Sequence, residues 1–600
     1  MKDVPASIIE AFDHLTATRL VEITKGLREK TPVEGAGRCW QFTAVLEIPS
    51  IADSGFSTAV EVRAELHENY PYGKIEIFAL ADDFRGFAHQ DAETGKLCLE
   101  DEDSFPRDKS RLVEYIRSAQ QWIIDSVTGA VPTAGDPYEL PDFSVKNLGY
   151  NLPTTFPILF SEDKSTFSSW RDKIGQHGIV KWAYSEFLGS PIVLTFEGKS
   201  NQVVHEIAYS SRSTNKEKVY AGRWALLPSI IIEKYRPAQT FGELSVLCAQ
   251  HEIPLRDLLQ KAWQETEPQF GLLVIGFPIP VTYGGVFEEI HWQPLLFENV
   301  ISTRRCVGSR ATPKDELLWN RLISTGRFSD ESRLPWGLSK NVSSSRMYAR
   351  SGLSQELCQM STSLFGCGAV GSLVAEALVR GGMQNLNLFD PKVVQFGHLC
   401  RHTLYGSSVG QAKAEALANE LAKSSPLVEV RGFGVSAPLY SGDEDALNTL
   451  DTSDLIIECT ASETAFEWLD QYVEDRKKRL ASMFISFKAE FLTLCISSSA
   501  TSCGQVWNRL REDANRCEFT EAELYSRMPT KDEYVFDGIG CWHPTYPGNN
   551  IHIQVLVAAG LDMFQTMLRR DVACGVIIRR TARDVEGICN LVECVWYREF

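Results

Sequence analysis

The hexapeptide Gly366-Cys367-Gly368-Ala369-Val370-Gly371 constrains this 600-residue chain more than any other stretch. It follows an apolar run, Met360 to Phe365, and leads into a helical run, Ser372 to Arg380, that Gly381-Gly382 stops. A strand, Asn385 to Phe389, then ends at Asp390. Strand, GxGxxG turn, helix and second strand, with an acid about twenty residues on, make a βαβ nucleotide-binding unit. The glycines permit a tight turn and close approach of the backbone, the helix N-terminus favours a phosphate, and the acid takes ribose hydroxyls. Taken alone the pattern points first to NAD, with a tight turn that holds no ligand as the alternative.

The flanking residues argue against NAD. Tyr348-Ala349-Arg350 stands upstream, and His398-Leu399-Cys400-Arg401-His402 and then Gly410-Gln411-Ala412-Lys413 lie downstream. Hydride transfer does not call for several cations around the phosphates. Attack on an α-phosphate does, because charge grows on the phosphoryl oxygens as pyrophosphate leaves. Each Arg or Lys taken singly reads as a solvated charge; their order along the chain carries the argument.

The rest of the chain narrows the function. A net charge of -18 does not suit general nucleic-acid binding, and 44% apolar with 23% charged residues is globular composition. The longest apolar run, Ile551 to Leu568, is broken by His552, Gln554, Asp562 and Gln565 and reads as a packed helix, so no membrane partner is expected. The N-terminus lacks the apolar core of a signal peptide. Fifteen cysteines are therefore expected as reduced thiols in a cytoplasm. They include no CxxC pair, which argues against a zinc ribbon and directs attention to cysteine nucleophiles.

Three segments are expected. Residues 1–145 read as an α+β domain. Its elements are a helix over Ser7–Lys30, strands at Trp40–Leu46, Thr58–Leu66 and Ile75–Leu80, and a helix over Arg111–Asp125. A long connection, Ala81 to Lys109, precedes that last helix. Residues 146–340 read as a mixed α/β middle domain, with strands at Pro191–Phe196 and Leu272–Phe277 and helices at Phe241–Ala249 and Leu255–Trp263. Its role is left open between spacer and recognition. Ser339–Ser345 reads as a polar linker, and residues 341–600 as an α/β Rossmann-like domain.

Two cysteines stand in settings suited to carrying an acyl group as a thioester. Cys541 lies in the Gly/Pro-rich run from Gly538 to Gly548, directly before the helix at Ile551, where a helix N-terminus lowers a thiol's pKa. Cys503 and Cys517 are the runners-up. Cys98 lies in Thr94-Gly95-Lys96-Leu97-Cys98-Leu99, after Phe87-Ala88-His89-Gln90-Asp91 and the earlier Tyr70-Pro71. The run Glu100-Asp101-Glu102-Asp103 beyond it is either a solvated acidic turn or an attractor for a basic acceptor.

From Tyr348 to about Ser462 these residues resemble the ThiF/MoeB-type adenylation domain of ubiquitin-activating enzymes and their bacterial relatives. The resemblance implies ATP and Mg²⁺, with Gly366, Gly368, Gly371, Asp390, Arg401 and Lys413 on the nucleotide. It also implies a homodimer in which Arg350 reaches the partner subunit's ATP. His398 and His402 replace the family's Asn and Gln. Ala461 takes the place of its late Asp, leaving Asp454, Glu463 or, in preference, Glu458 to hold the metal.

Residues 10–130 resemble ubiquitin-conjugating enzymes. That implies Cys98 as the nucleophile and His89 as a loop-shaping residue. Asp91 stands where the family has an oxyanion-binding Asn, and is expected to act as a base or to orient the amine. The order conjugating, middle, activating resembles the fused enzymes of bacterial CBASS anti-phage operons. It implies that the C-terminus of a cGAS/DncV-like nucleotidyltransferase (a CD-NTase) is activated, relayed through Cys541 and Cys98, and joined to an amine such as lysine. A sulfur-carrier adenylyltransferase that stops at the adenylate, and a nonenzymatic nucleotide-sensing scaffold, are the alternatives.

Overall fold

The computed structural model describes residues 4–31, 37–49, 57–91, 94–99, 105–130, 134–143, 157–185, 188–207, 209, 218–264, 270–298, 328–486, 488–514, 548–570, 572–580 and 592–600. The chain forms two compact units, the first built mainly from residues up to Asn341 and the second mainly from Val342 onward.

The first unit opens with α1 (Ala6–Thr18), followed by β1 (Val21–Glu29), β2 (Cys39–Glu47), β3 (Ala59–His67) and β4 (Ile75–Ala79). The strands pair in that order as an antiparallel meander. The single helix expected over Ser7–Lys30 is therefore two elements. Arg19 takes a left-handed conformation, φ +58°, which ends the helix, and the chain beyond it pairs with β2 as an edge strand. Trp40, Phe42, Ala44 and Leu46 alternate onto one face of the sheet. There they meet Ile8 and Leu15 of α1 and Ile116 and Ile123 of α2 (Arg111–Thr128). Gly129, φ +71°, closes α2 by returning its N–H to the carbonyls of Asp125 and Ser126.

The same unit contains a mixed sheet with eight strands among the described residues. Its main path runs Phe287–Glu298, Phe270–Pro280, Val219–Leu226, His177–Ser185, Ser190–Glu197, Ile158–Phe160, Ser339–Asn341. Ser339–Asn341, expected as linker, is thus a strand. Asn341 Nδ2 anchors it, donating to the Glu162 carbonyl and to Glu289 Oε1, each at 2.7 Å. Helices Phe241–Gln250 and Leu255–Gln264 pack Leu244 and Leu258 against Ile275 and Phe277 on one face. Trp170, Phe196, Trp224 and Trp292 pack edge to face and stacked on the other. Fully buried Glu162 lies among them, accepting from Trp170 Nε1 at 3.1 Å, Trp292 Nε1 at 2.9 Å and Thr166 Oγ1 at 2.5 Å. Burial pushes its carboxyl up to about 7.

The second unit runs β5 (Ser361–Phe365), α3 (Ala369–Arg380), β6 (Asn385–Phe389), α4 (Lys413–Ala422), β7 (Glu429–Phe433) and β8 (Leu455–Glu458). It continues with α5 (Glu463–Arg476), β9 (Arg479–Ile485), β10 (Phe491–Ile496), α6 (Cys503–Ala514), α7 (Asn550–Leu568), β11 (Cys574–Arg580) and β12 (Val592–Glu599). The strand order is β7-β6-β5-β8-β9-β10-β11-β12, parallel through β9 and antiparallel beyond it. Neighbouring residues face opposite layers. Leu364 and Leu388 meet Val374, Leu417 and Leu556 on one side, and Phe365 and Phe389 meet Leu450, Leu469 and Val506 on the other. That double burial is why these strands read as apolar runs without alternation.

Among the described residues α7 alone is long and apolar enough to cross a membrane. Its Ile553, Leu556, Val557 and Gly560 are buried in the cluster that also holds Met483, Leu492 and Leu494 of the sheet.

Candidate functional site

The strand order reverses between β5 and β8, which opens a crevice at their C-terminal ends. The glycine-rich loop fills one side of it. Gly366 sits at φ +90°, and a Cβ there would lie 2.7 Å from the Cys459 carbonyl carbon. A Cβ on Gly371 would lie 1.8 Å from the Gly366 oxygen. A Cβ on Gly368 would meet nothing within 4 Å, so the backbone there faces open space that a phosphate can approach.

The loop is held at both polar groups of Cys367. Asp390 Oδ2 accepts the Cys367 N–H at 2.9 Å, while its Oδ1 accepts the Lys392 N–H at 2.9 Å. His402 Nδ1 accepts the Leu404 N–H at 3.1 Å, so its proton is on Nε2, which donates to the Cys367 carbonyl at 2.7 Å. Burial drives His402 down to about 4, so the ring is neutral at pH 7. A glutamine amide carries the same pairing of one acceptor with a donor, which explains physically why histidine can stand at that position.

Asp390 is buried, and each of its oxygens retains a second lone pair for a ribose hydroxyl. Lys413, the first residue of α4, is also buried. Burial pushes its ammonium pKa down, with the Asp390 charge opposing that shift. An incoming phosphate would compensate such a desolvated cation.

A cavity of about 550 Å³, a size that suits a small-molecule ligand, occupies the crevice. Gly368, Arg401, Glu458 and Ala461 line it, with Phe466 and Trp507 as an apolar wall. Glu458 is almost fully buried. Its Oε1 accepts from the Thr460 N–H and hydroxyl, and its Oε2 from Ser482 Oγ at 2.6 Å. Burial raises its pKa. Glu463 also lines the cavity and is exposed. Ala461 holds φ +54°, a left-handed conformation uncommon for alanine. No group of three or more metal-ligating side chains occurs among the described residues. Arg350 is exposed, just past the short helix Ser344–Met347, and is not among the cavity-lining residues.

In the first unit Cys98 is exposed and donates its backbone N–H to the His89 carbonyl at 2.8 Å. His89 sits at φ +56° and its Nδ1 lies 2.7 Å from Glu139 Oε2. Desolvation, then the Glu139 charge, raises the Cys98 thiol pKa, with Lys96 opposing. Asp91 is engaged in a tight turn: its Oδ1 accepts the Thr94 N–H at 2.6 Å and hydroxyl at 2.8 Å, and its carbonyl accepts the Gly95 N–H.

Cys503 is fully buried, its Sγ 3.2 Å from the Leu480 carbonyl and 3.4 Å from that of Cys495, and burial holds its thiol far above the usual range. It fits packing and not acyl transfer. Cys541, Cys517 and the run Glu100–Asp103 lie outside the described residues. Nothing in the sequence singles out Glu139. It falls in a proline-punctuated stretch that reads as a boundary, and no local pattern links it to His89, fifty positions earlier.

Residues 129–342 match the Cap2 central linker domain family, and residues 340–568 match the ThiF family. The fold and the crevice are those of a ThiF-type domain joined to further α/β domains. The chain is similar to Cap2, with a match to the Cap2 central linker followed by a match to the ThiF family. It is 26% identical over 452 residues to the ATP-dependent ubiquitin transferase-like protein Cap2 of Enterobacter hormaechei subsp. hoffmannii (strain UCI 50), covering 73% of this chain and 71% of that protein. It is 30% identical over 106 residues to the adenylyltransferase and sulfurtransferase MOCS3 of Xenopus laevis, covering 18% of this chain and 23% of that protein. Over 96 residues it is 29% identical to ubiquitin-like modifier-activating enzyme 5 of Arabidopsis thaliana, covering 16% of this chain and 22% of that protein.

Proposed function

We propose that this chain is an ATP-dependent protein-conjugating enzyme. It activates a protein C-terminus in the ThiF domain and transfers it from Cys98 to an amine. The observation that carries the reading is the pairing, in one Cap2-like chain, of two features. One is a glycine-rich crevice with buried Asp390 and buried Lys413 beside it, and the other is an exposed cysteine held on a shaped loop.

Asp390 holds the ribose, and the backbone at Gly368 with Lys413 and Arg401 holds the phosphates. These cations stabilise the charge that grows on the α-phosphate as the substrate carboxylate attacks it and pyrophosphate leaves. Glu458 or Glu463 would hold Mg²⁺ that enters with the nucleotide, and the ion would supply further charge neutralisation there. Arg350 contributes from the partner subunit of a homodimer. Cys541 takes the acyl group as a thioester and passes it to Cys98 by thiol exchange. His89 shapes the Cys98 loop, and Asp91 faces the entering amine.

The activated protein in this proposal is a cGAS/DncV-like nucleotidyltransferase, joined to a lysine to prime anti-phage signalling; that assignment rests on the resemblance of the domain order to the fused CBASS enzymes, and the likeness to Cap2 supports an ATP-dependent, ubiquitin-transferase-like activity. The test supplies the full chain with ATP, Mg²⁺ and such a nucleotidyltransferase. A reducible thioester on Cys98, absent in Cys98→Ala, is expected. A chain that makes pyrophosphate but never a covalent thioester would instead be an adenylyltransferase that stops at the adenylate.

A further inference from the structure

The loop that carries Cys98 is gripped by residues of the linker domain at three points. The first is a hairpin, Ile231–Glu233 paired with Arg236–Pro237, whose turn residue Lys234 sits at φ +53°. Lys234 Nζ donates to the Asp83 carbonyl at 2.5 Å and lies 4.4 Å from the centre of the Phe87 ring. The second is the next residue, Tyr235, whose N–H donates to the Gly86 carbonyl at 2.8 Å. The third is Glu139, paired with His89 at 2.7 Å.

Glu139 is itself fixed. Its N–H donates to the Tyr283 hydroxyl at 3.3 Å, and that hydroxyl lies 3.0 Å from the Tyr235 hydroxyl. On either side of it the chain is pinned. Tyr138 N–H donates to the Val281 carbonyl and Tyr283 N–H to the Asp136 carbonyl, each at 2.9 Å. Phe143 is buried against Phe277 and Trp336. So the carboxylate that meets His89 stands on a rigid support.

His89 matters to Cys98 through its backbone. It adopts a left-handed conformation that a side chain does not favour, and its carbonyl receives the Cys98 N–H at 2.8 Å. A residue held in such a conformation persists only where its surroundings over-determine it. The contact of its Nδ1 with Glu139 Oε2, at 2.7 Å, is the side-chain anchor that does so.

We propose that Glu139 is a positioning residue of the acyl-transfer site. It fixes the His89 turn that presents Cys98, so the linker domain completes a face that the first domain does not build alone. This rests on the conjugating role proposed above for Cys98. In the transfer step the amine nitrogen forms a bond to the thioester carbonyl carbon. The C–S bond breaks, and the proton lost by the nitrogen ends on the departing Cys98 sulfur through solvent or a neighbouring carboxylate. The geometry of Cys98 against the attacking amine is what Glu139 sets.

The full chain is acylated chemically with the mercaptoethanesulfonate thioester of N-acetylglycine, which loads exposed thiols without ATP or a protein substrate. Discharge to free L-lysine is then followed at Cys98 by peptide mass spectrometry, with exposed Cys594 on the same molecule as internal reference. In the parent, Cys98 should discharge well ahead of Cys594; equal rates would overturn the conjugating role itself and this inference with it. Granted that difference, Glu139→Gln should lower the rate at saturating lysine about tenfold, an effect on the order of one hydrogen bond to a charged group. The half-saturating lysine concentration should stay unchanged, Cys98 should load normally, and Glu139→Asp should recover part of the rate.

Combining Glu139→Gln with His89→Asn should add little to the slower single variant, because the two act as one unit. Parental discharge in Glu139→Gln would overturn the proposal. So would a change confined to the half-saturating concentration, or fully multiplicative losses in the double variant.

Discussion

The glycine-rich crevice and the Cys98 loop solve the same problem differently. Each must hold a backbone turn in a shape that unconstrained chain would not keep. In the crevice the clamps come from the same domain and mostly from the motif's own neighbourhood. Asp390 takes the Cys367 N–H and His402 its carbonyl, both within about one βαβ unit. At Cys98 the turn at His89 is held by Glu139, and the segment Asp83–Phe87 leading into it by Lys234 and Tyr235, all distant in sequence and carried by the linker domain. A site clamped locally should tolerate changes elsewhere in the chain. A site clamped from another domain should be sensitive to them.

The strongest test separates the two halves of the chemistry. Lys413→Ala should weaken ATP binding, read by calorimetry, by about a hundredfold or more, the scale of removing a preorganised charge. Discharge of chemically acylated Cys98 should continue at the parental rate. ATP affinity within a few fold of the parent would show that Lys413 is not on the phosphates. Next in size is the loop geometry. Gly371→Ala places a methyl against the Gly366 oxygen and should destabilise the second unit by roughly 2 to 4 kcal/mol by thermal unfolding, the range for a forced core clash or strained backbone.

A weaker perturbation tests the local clamp. His402→Leu removes the donor to Cys367 and should weaken ATP binding about tenfold, the scale of one lost buried hydrogen bond. His402→Gln should retain it. If leucine serves as well as glutamine, the Cys367 carbonyl does not need that bond.

The two units also carry buried titratable groups with opposite pH signs. Glu162 is raised from 4.5 to about 7 in the fold, so its contribution is fully present below pH 4.5 and is lost as pH rises through 7. His402 is lowered from 6.5 to about 4, so its contribution is present above pH 6.5 and is lost as pH falls through 4. Glu162→Gln should therefore flatten the loss of stability between pH 5 and 8 by about 1 to 3 kcal/mol. The change should be followed by fluorescence from the tryptophans around it. An unchanged alkaline limb would mean that Glu162 titrates in the fold as it does in the unfolded chain and is already ionised throughout that range.

The mildest change is expected at Cys503. Cys503→Ala should leave thioester formation on Cys98 unchanged and cost only about 1 kcal/mol of stability, as a small buried side chain does.

Much of the crevice is legible in the amino-acid sequence. The loop Gly366–Gly371 and Asp390 lie on one βαβ unit and Lys413 opens the helix that follows it, where helix and strand periodicity read from the sequence place each of them. Elsewhere the local pattern underdetermines the element. Ser7–Lys30 reads as one helix because alternating Val21 to Lys25 is too short to separate from helical spacing, and only pairing with β2 makes it a strand. Ser339–Asn341 reads as linker because it is polar; its strand state comes from the partner Ile158–Phe160 and from Asn341 bridging Glu162 and Glu289.

Short segments of the chain encode part of its chemistry unaided. They carry a glycine-rich turn before a helix, an acid after the next strand, a lysine opening a helix, and a cysteine in a Gly-x-x-Cys-Leu setting. These depend on backbone preferences and spacings of a few residues, which the chain keeps wherever it goes. It takes the folded packing to put Glu139 at His89, to make Lys234 grip the Cys98 loop, to leave His402 neutral with its proton on Nε2, and to seal Cys503 in a core. Each of those outcomes depends on burial or on contact between segments far apart in sequence. Desolvation and distance arise only when such segments meet, and no local run of residues specifies them.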